Sequence, residues 1–466
     1  MRISVLSTFK TVLSLSTYTI NPKFMKLKSI TIENFRAIEH IHLPLHQQLT
    51  VLVGENGTGK TSILDAISLV LGEIPHHFQV QKQRFFDDND IRQYLKPNQS
   101  KNPLEYAPYV RVQLENRAGL TWHYESQTKQ LKDWKSDLNL NGLNELHKHL
   151  DQMIFDLNDS KIVELPVLAY YGMNRDSLII PKNEPLYREF DRFEALKNAL
   201  NITPDFWTVF EWFFAQENLE HREKFERQDL DYQLTLLKAV RHAICRMIPG
   251  ASHPRTQMQP LRFVVDLEIE GAKKDILSLE QLSGGYRVML SLVMDLARRM
   301  ALANDHHSEH AIESEAIVLI DEIDLHLHPK WQQRVLVDLM KTFPNTQFIV
   351  TTHSAPVLTT VKSENIVVLY YKSGKLIVSS PTSNTYGAQA GRVLNEIMGV
   401  EQRPPAEFNE FTHKLEQYRQ FIQRDEGEGE EALKLRYQLN RLSASDPELL
   451  KADMEIRRRR VLRRKA

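Results

Sequence analysis

The sequence predicts an α/β fold in which a mostly parallel sheet carries a phosphate-binding loop and an antiparallel β subdomain lies beside it. Three observations carry this reading. Short, largely apolar runs, Leu49 to Val53, Ile317 to Ile320 and Phe348 to Thr352, recur between helical stretches, as buried parallel strands do. Alternating segments, Ile30 to Leu45 and Val110 to Tyr124 around the Asn116 to Gly119 turn, read as antiparallel strands and a hairpin. A glycine-rich loop stands directly after one apolar strand and before an amphipathic helix, where open α/β sheets bind ligands.

At 466 residues the chain exceeds a typical single domain, and its 42% hydrophobic and 26% charged residues lie in the globular range. Its 59 Lys and Arg balance 60 Asp and Glu, so any attraction to nucleic acid must be local. Cys245 is the one cysteine, which excludes an intramolecular disulfide and fits a reducing, cytoplasmic compartment. No run approaches the ~20 uninterrupted apolar residues of a membrane helix, so no membrane partner is expected. Residues 1–24 are Ser/Thr-rich, and Met25 opens a segment that reads as a natural beginning. A disordered extension is expected before it.

The strand Leu49 to Val53 leads into Gly54-Glu55-Asn56-Gly57-Thr58-Gly59-Lys60-Thr61-Ser62. A helix follows with Ile63, Leu64, Ile67, Val70 and Leu71 on one face, stopped at Gly72. Glycines let backbone N–H groups wrap phosphates, and the helix N-terminus adds favourable partial charge. The pattern places Lys60 on the β- and γ-phosphates and the Thr61 hydroxyl on Mg²⁺, so ATP and Mg²⁺ are the expected ligands. Pro166 to Tyr171 reads as a further buried strand, closing on Gly172 and Met173-Asn174-Arg175. From about Leu186 to Ile248 the pattern turns helical without sustained heptads, which predicts a helical lid. Strand character returns at Phe263 to Ile269 and, after the central runs, at Ile366 to Tyr370.

The run Ala316 to Ile320 ends in two adjacent acids at the sheet's C-terminal edge. Asp321 suits Mg²⁺ and Glu322 suits polarising an attacking water. Leu282-Ser283-Gly284-Gly285-Tyr286 opens a long helix carrying Leu290, Val293, Leu296 and Met300, which makes a second anion-binding N-terminus. One ATP does not need two cradles on one chain. Ser283, Gly284 and Gly285 are therefore expected to cover the γ-phosphate held by another copy, in a head-to-tail dimer or a larger assembly of the same chain. His353 closes a buried strand, where it can donate a hydrogen bond to the γ-phosphate.

In this order the four motifs resemble an ABC-type ATPase: Walker A at Gly54, signature at Ser283, Walker B at Asp321 and a switch histidine at His353. The resemblance implies an ABC-ATPase head and makes Asp324-Leu325-His326-Leu327-His328-Pro329 the D-loop, which contacts the other copy. His326 and His328 have no evident third metal ligand. Ile32-Glu33-Asn34-Phe35-Arg36 is similar to the opening of RecF, SMC and OLD-type proteins, and this implies that Arg36 lies near the nucleotide. Gln79, Gln81 and Gln83 compete for the Q-loop position, and the sequence does not choose among them. Pro166 to Arg175, the compact helical lid and the short helical extension look most like the PtuA ATPases of Septu anti-phage systems, which implies an HNH nuclease, PtuB, as partner. OLD-type nucleases carry a metal-binding domain after the ATPase. Here no Asp-x-Asp follows a strand after His353, so no intrinsic nuclease is expected.

The expected layout is an extension at 1–24, an N-terminal lobe at 25–185, a helical lid at 186–260 and a C-terminal lobe at 261–398. A partner-binding helical extension takes 399–466. It contains the acidic stretch Asp425 to Glu431 and the basic run Arg457 to Arg460, with Arg463, Arg464 and Lys465. The leading expectation is an ATP-gated regulatory subunit of a nuclease complex that hydrolyses ATP slowly. The alternative is a repair ATPase that binds DNA directly. An importer or exporter ATPase fits poorly with the Asn34-Phe35-Arg36 opening and the long insertion.

Overall fold

The apolar runs form the strands they predict because a strand covered on both faces has no use for alternation. A computed structural model describes residues 25–95, 104–127, 143–173, 189–202, 206–268 and 275–465. The expected extension at 1–24, the residues Asn174 and Arg175, and the lobe-to-lid boundary at 185 lie outside the described residues. Two compact units divide between Tyr386 and Gly387.

The first unit centres on a six-stranded sheet in the order β15-β14-β3-β13-β12-β8. Its strands are β3 (Leu49–Gly54), β8 (Val167–Tyr171), β12 (Ala316–Ile320), β13 (Thr346–Thr351), β14 (Ile366–Lys372) and β15 (Lys375–Ser379). All neighbours run parallel except β15, which returns antiparallel along β14 at the edge. Every residue of β8, β12 and β13 is buried.

A second sheet, β2-β1-β6-β7, is antiparallel and holds β1 (Leu27–Phe35), β2 (Ile38–Pro44), β6 (Tyr109–Asn116) and β7 (Thr121–Gln127). The short strands β4 (Gln93–Leu95) and β5 (Leu104–Tyr106) pair beside it in sequence. One buried side chain ties the two large sheets. Gln347 of β13 accepts from Leu27 N at 2.7 Å and donates to Leu27 O and His46 O, both at 2.8 Å. Its amide satisfies Leu27 N and O at the start of β1, beyond the reach of β2, whose register begins at Ser29.

Helices α1 (Lys60–Leu71), α2 (Glu73–His77) and α3 (Asn144–Asn158) belong to the N-terminal part of this unit. The predicted lid contains α4 (Phe206–Arg227) and α5 (Thr235–Met247), but its last residues differ from expectation. Ala251–Met258 is a strand, β9, paired with β10 (Leu261–Leu267), which pairs in turn with β11 (Asp275–Ser278). Its alternation is broken by Pro254 and polar residues, so it gives no period-2 signal. Helix α5 packs against α6 (Gly284–Ala303), which is buried almost throughout. The short helices α7 (Pro329–Gln332), α8 (Val335–Thr342) and α9 (Ala355–Leu358) complete the unit. Among the described residues no helix is long and apolar enough to cross a membrane.

The second unit, 387–466, begins before the expected break at Gly399, so that break lies inside it. It holds α10 (Ala390–Glu396), α11 (Glu410–Gln423), α12 (Glu430–Ser443) and α13 (Pro447–Lys465). Leu415, Tyr418, Ile422, Ala432, Leu439, Leu449 and Ala452 form its own apolar core. The predicted basic run is also no free charge. Arg458 and Arg459 pair with Glu455, Arg459 reaches Asp425, and Arg460 pairs with Glu428. The acidic stretch thus neutralises part of it.

Gln347→Leu keeps the side chain's size but leaves three backbone groups of Leu27 and His46 without their partner. We expect a loss of about 2–4 kcal/mol in urea unfolding, since each buried group left unmatched costs about 1–3 kcal/mol before relaxation. An unchanged midpoint would remove Gln347 as the link between the sheets.

Candidate nucleotide site

The glycine-rich loop bridges β3 and α1. Gly59 is the N-cap of α1 at φ 86° and ψ 16°, a left-handed conformation that glycine takes at little cost. Thr58 folds back on Glu55, whose carbonyl accepts from the Thr58 N–H at 3.3 Å and its hydroxyl at 2.8 Å. Asn56 and Gly57 are exposed at the tip, and Thr61 and Ser62 are half-buried on the first turn of α1. Lys60 Nζ donates to the carbonyls of Gly54 and Glu55 at 2.8 and 2.9 Å, so its ammonium lies along the loop. Burial lowers the Lys60 pKa from the ordinary lysine value, against the pull of the Asp321 and Glu322 carboxylates.

The two acids follow β12 at the same sheet edge. Thr61 Oγ1 donates to Asp321 Oδ2 at 2.8 Å, and Thr351 Oγ1 donates to Asp321 Oδ1 at 2.6 Å. The Thr61 and Asp321 oxygens are a hard donor pair that fits Mg²⁺. Glu322 has φ 48°, a left-handed conformation costly for a side chain with Cβ, and its N–H donates to Thr351 Oγ1 at 2.7 Å. The chain then turns into Asp324, whose Oδ1 accepts from Thr352 Oγ1 at 2.5 Å and from His353 N at 3.4 Å. Neighbouring strand ends are thereby latched together, which brings Glu322 and His353 to one edge.

The signature residues open α6, with Ser283 as its N-cap and exposed. A Cβ on Gly285 would meet His326 O at 2.7 Å, whereas one on Gly284 would find His326 Cβ at an ordinary 3.8 Å. The D-loop backbone therefore rests on Gly285. Tyr286 packs edge-on against Trp331 of α7, with ring centroids 4.4 Å apart. Gln332 donates to Leu327 O at 2.9 Å and accepts from Ser354 Oγ at 2.9 Å, joining the D-loop to the segment after His353.

Arg36 occupies the β1–β2 turn, where Ile38 lies beside Gly59. Its guanidinium pairs with Asp65 of α1 at 2.5 Å and with Asp90 at 3.1 Å. Tyr170 donates to the other Asp65 oxygen at 2.8 Å. The contact is thus to the helix behind the loop. Of the three candidate Q-loop glutamines, Gln81 bonds Asn201, and Gln83 bonds Glu73 and Tyr124. Asp65, Thr351 and Gln332 are not singled out by the sequence, and Asp324 enters there only as part of the D-loop segment. Asp65 alone carried a signal, an acid inside the apolar face of α1.

Gly285→Ala should destabilise the chain by about 1–3 kcal/mol, because the D-loop carbonyl must move. Gly284→Ala should be neutral or slightly stabilising, since helix positions favour alanine. Paired urea titrations test the contrast. Equal effects would mean that the D-loop does not rest on Gly285.

Residues 26–377 match the family described as RecF/RecN/SMC N terminal domain. The retron Ec83 probable ATPase of Escherichia coli is 28% identical, covering 93% of this chain and 87% of that protein. The retron Vc95 probable ATPase of Vibrio cholerae serotype O1 biovar El Tor is 26% identical, covering 87% and 85%. The Septu protein PtuA of Bacillus thuringiensis is 21% identical, covering 81% and 85%. The resemblance to RecF, SMC and OLD-type proteins near PtuA therefore holds, and the retron proteins join PtuA over a larger share of this chain. The chain belongs to the RecF/RecN/SMC N-terminal domain family of ABC-type ATPases.

Proposed function

We propose that the chain is the ATP-hydrolysing regulatory subunit of an anti-phage defence complex in the cytoplasm, and that two copies close head to tail around ATP. The observation that carries this reading is the geometry around Asp321, where Thr61, Lys60, Glu322 and the His353 strand end converge. Lys60 meets the β- and γ-phosphates, Thr61 and Asp321 hold Mg²⁺, Glu322 takes the proton of the attacking water and His353 donates to the γ-phosphate. Bound Mg²⁺ supplies neutralisation of phosphate charge. Arg36 anchors α1 through Asp65 and acts on the nucleotide through that helix.

Ser283, Gly284 and Gly285 form a second cradle against His326 and Leu327, in a chain whose phosphate loop already has its own phosphate-facing groups. Two cradles and one triphosphate per chain are reconciled when the cradle serves the other copy. Glu322→Gln is expected to bind ATP normally and lose ~10²- to 10⁴-fold in turnover. Ser283→Arg and Lys60→Ala should each be inactive, yet their mixture should regain activity, because one site in each mixed dimer keeps an intact loop and an intact signature. Demonstrated subunit exchange with no recovered activity would defeat the head-to-tail reading.

The similarity to retron and Septu ATPases supports a defence role, and PtuA-type relatives point to an HNH nuclease as the partner. The second unit has its own core and exposed apolar side chains, including Tyr437, Leu450 and Met454, which suits protein docking. Ion pairing within its basic run supports a protein partner over direct DNA binding. Truncation after Tyr386 should preserve ATPase activity and abolish co-purification with the neighbouring gene product. Loss of ATPase activity in a folded truncation would assign the unit to the catalytic core instead.

A further inference from the structure

Two helices outside the nucleotide site face each other with matched acid and histidine pairs. Glu73 and His77 lie four residues apart on α2, and His147 and Asp151 lie four apart on α3, so each pair shares one helix face. The pairs meet crosswise. His147 Nε2 is 2.6 Å from Glu73 Oε1, and His77 Nε2 is 2.8 Å from Asp151 Oδ1. The two imidazoles stack with centroids 4.8 Å apart at 27°. Candidate donor atoms of Glu73, His77 and His147 all lie within 4.8 Å of one another.

We propose that Glu73, His77 and His147, with Asp151 at the open side, bind a divalent transition-metal ion, Zn²⁺ in the first instance. Glu73 is the key to this reading. It is only 3% exposed, and its Oε2 accepts from Tyr124 Oη at 2.5 Å and Gln83 Nε2 at 2.6 Å. Those two donors hold the carboxylate so that Oε1 faces the gap between the helices, the support that a ligating carboxylate needs. The His77 and His147 side chains are 16% and 32% exposed, which leaves an entry path from solvent.

Two imidazoles with carboxylate oxygen form a donor set that suits Zn²⁺, Co²⁺ and Ni²⁺, whereas Mg²⁺ prefers oxygen alone. Donors around a tetrahedral Zn²⁺ stand about 3.3 Å apart, given bonds of about 2.0 Å, so on loading the widest of the present separations must close and the 2.6 Å contact of His147 with Glu73 must open. A ligating imidazole must be unprotonated at the bound nitrogen, so affinity should fall on acidification. A second cluster, Glu164, His306 and His307, has no buried carboxylate, and its histidines are consecutive. It serves as the internal control.

The site is also placed to matter. Helix α2 follows α1 after Gly72 alone, and α1 begins at the phosphate loop. An ion held by Glu73, His77 and His147 would tie α2, which continues from α1, to α3, beside the existing bond of Glu73 to Tyr124 of β7. The inference does not depend on ATP hydrolysis.

The test uses the full chain, stripped with chelator and titrated with Zn²⁺ alone by calorimetry, then with Co²⁺ by visible absorption. We expect one tight Zn²⁺ per chain, retained in millimolar Mg²⁺, a rise in melting temperature on loading, and Co²⁺ bands of a four-coordinate site. His77→Asn with His147→Gln should weaken Zn²⁺ binding at least ~100-fold, as loss of ligands does. His306→Ala with His307→Ala should leave it unchanged. Absent saturable Zn²⁺ binding in the parent, or parent-like affinity in a folded His77/His147 variant, would overturn the assignment. Loss of binding only in the His306/His307 variant would do the same.

Discussion

The acceptor pair of Asp321 is the interaction on which the nucleotide edge depends. This carboxylate is 2% exposed, and an ionised group in that position is tolerable only with well-placed donors. Thr61 supplies one from the phosphate-loop helix and Thr351 supplies the other from the neighbouring strand. The backbone N–H of Asp321 donates to Tyr171 O of β8 at 2.9 Å. Four elements therefore register on one acid. Hydrogen bonds to a charged group are worth about 1.5–3 kcal/mol each, enough to hold strand ends that would otherwise fray. The left-handed Glu322 persists because Thr351 engages its N–H while also engaging Asp321.

From this centre the order extends outward through short side chains. Thr352 and His353 lean on Asp324, Gln332 joins Ser354 to the D-loop, and the D-loop lies on Gly285. The switch histidine, the D-loop and the signature helix thus form a contiguous packed path. Behind them, Tyr171 donates to Asp295 of α6 at 3.0 Å. Burial opposes ionisation of Asp295, but the Arg299 and Arg298 guanidiniums outweigh it and hold its carboxyl below the usual range. The ion pairs lie within α6, and the Tyr171 hydroxyl is what joins this carboxylate to β8.

The second unit follows a different physical logic. Its core is small, and ion pairs such as Arg436 with Asp453 and Arg403 with Asp446 surround that modest apolar centre. Pairs this exposed contribute ~0–1 kcal/mol each. Specific orientation of the helices comes from the apolar residues, and the ion pairs set which charges remain for a partner.

The parallel strands, the antiparallel hairpins and the loop between β3 and α1 were legible in the sequence, as were the strand ends and helix start that carry Asp321, Glu322, His353 and Ser283. Each is a local signal: an apolar run, an alternation, or a glycine pattern whose spacing reflects one turn of chain. What only the tertiary structure decided was which polar residues meet across long separations. Gln347 completing β1, Thr351 serving two acids, Arg36 bonded to Asp65, and Glu73 with His77 facing His147 and Asp151 are pairings of residues far apart in the chain. β9 escaped notice because a strand with a proline and few apolar residues has no periodic signal of its own and exists by pairing with β10. Arg459 and Arg460 likewise meet Asp425 and Glu428 only because α13 lies beside the acidic stretch. Local periodicity is set by backbone geometry and so survives in the sequence, whereas a hydrogen bond or ion pair between distant residues depends on a burial that the fold alone creates.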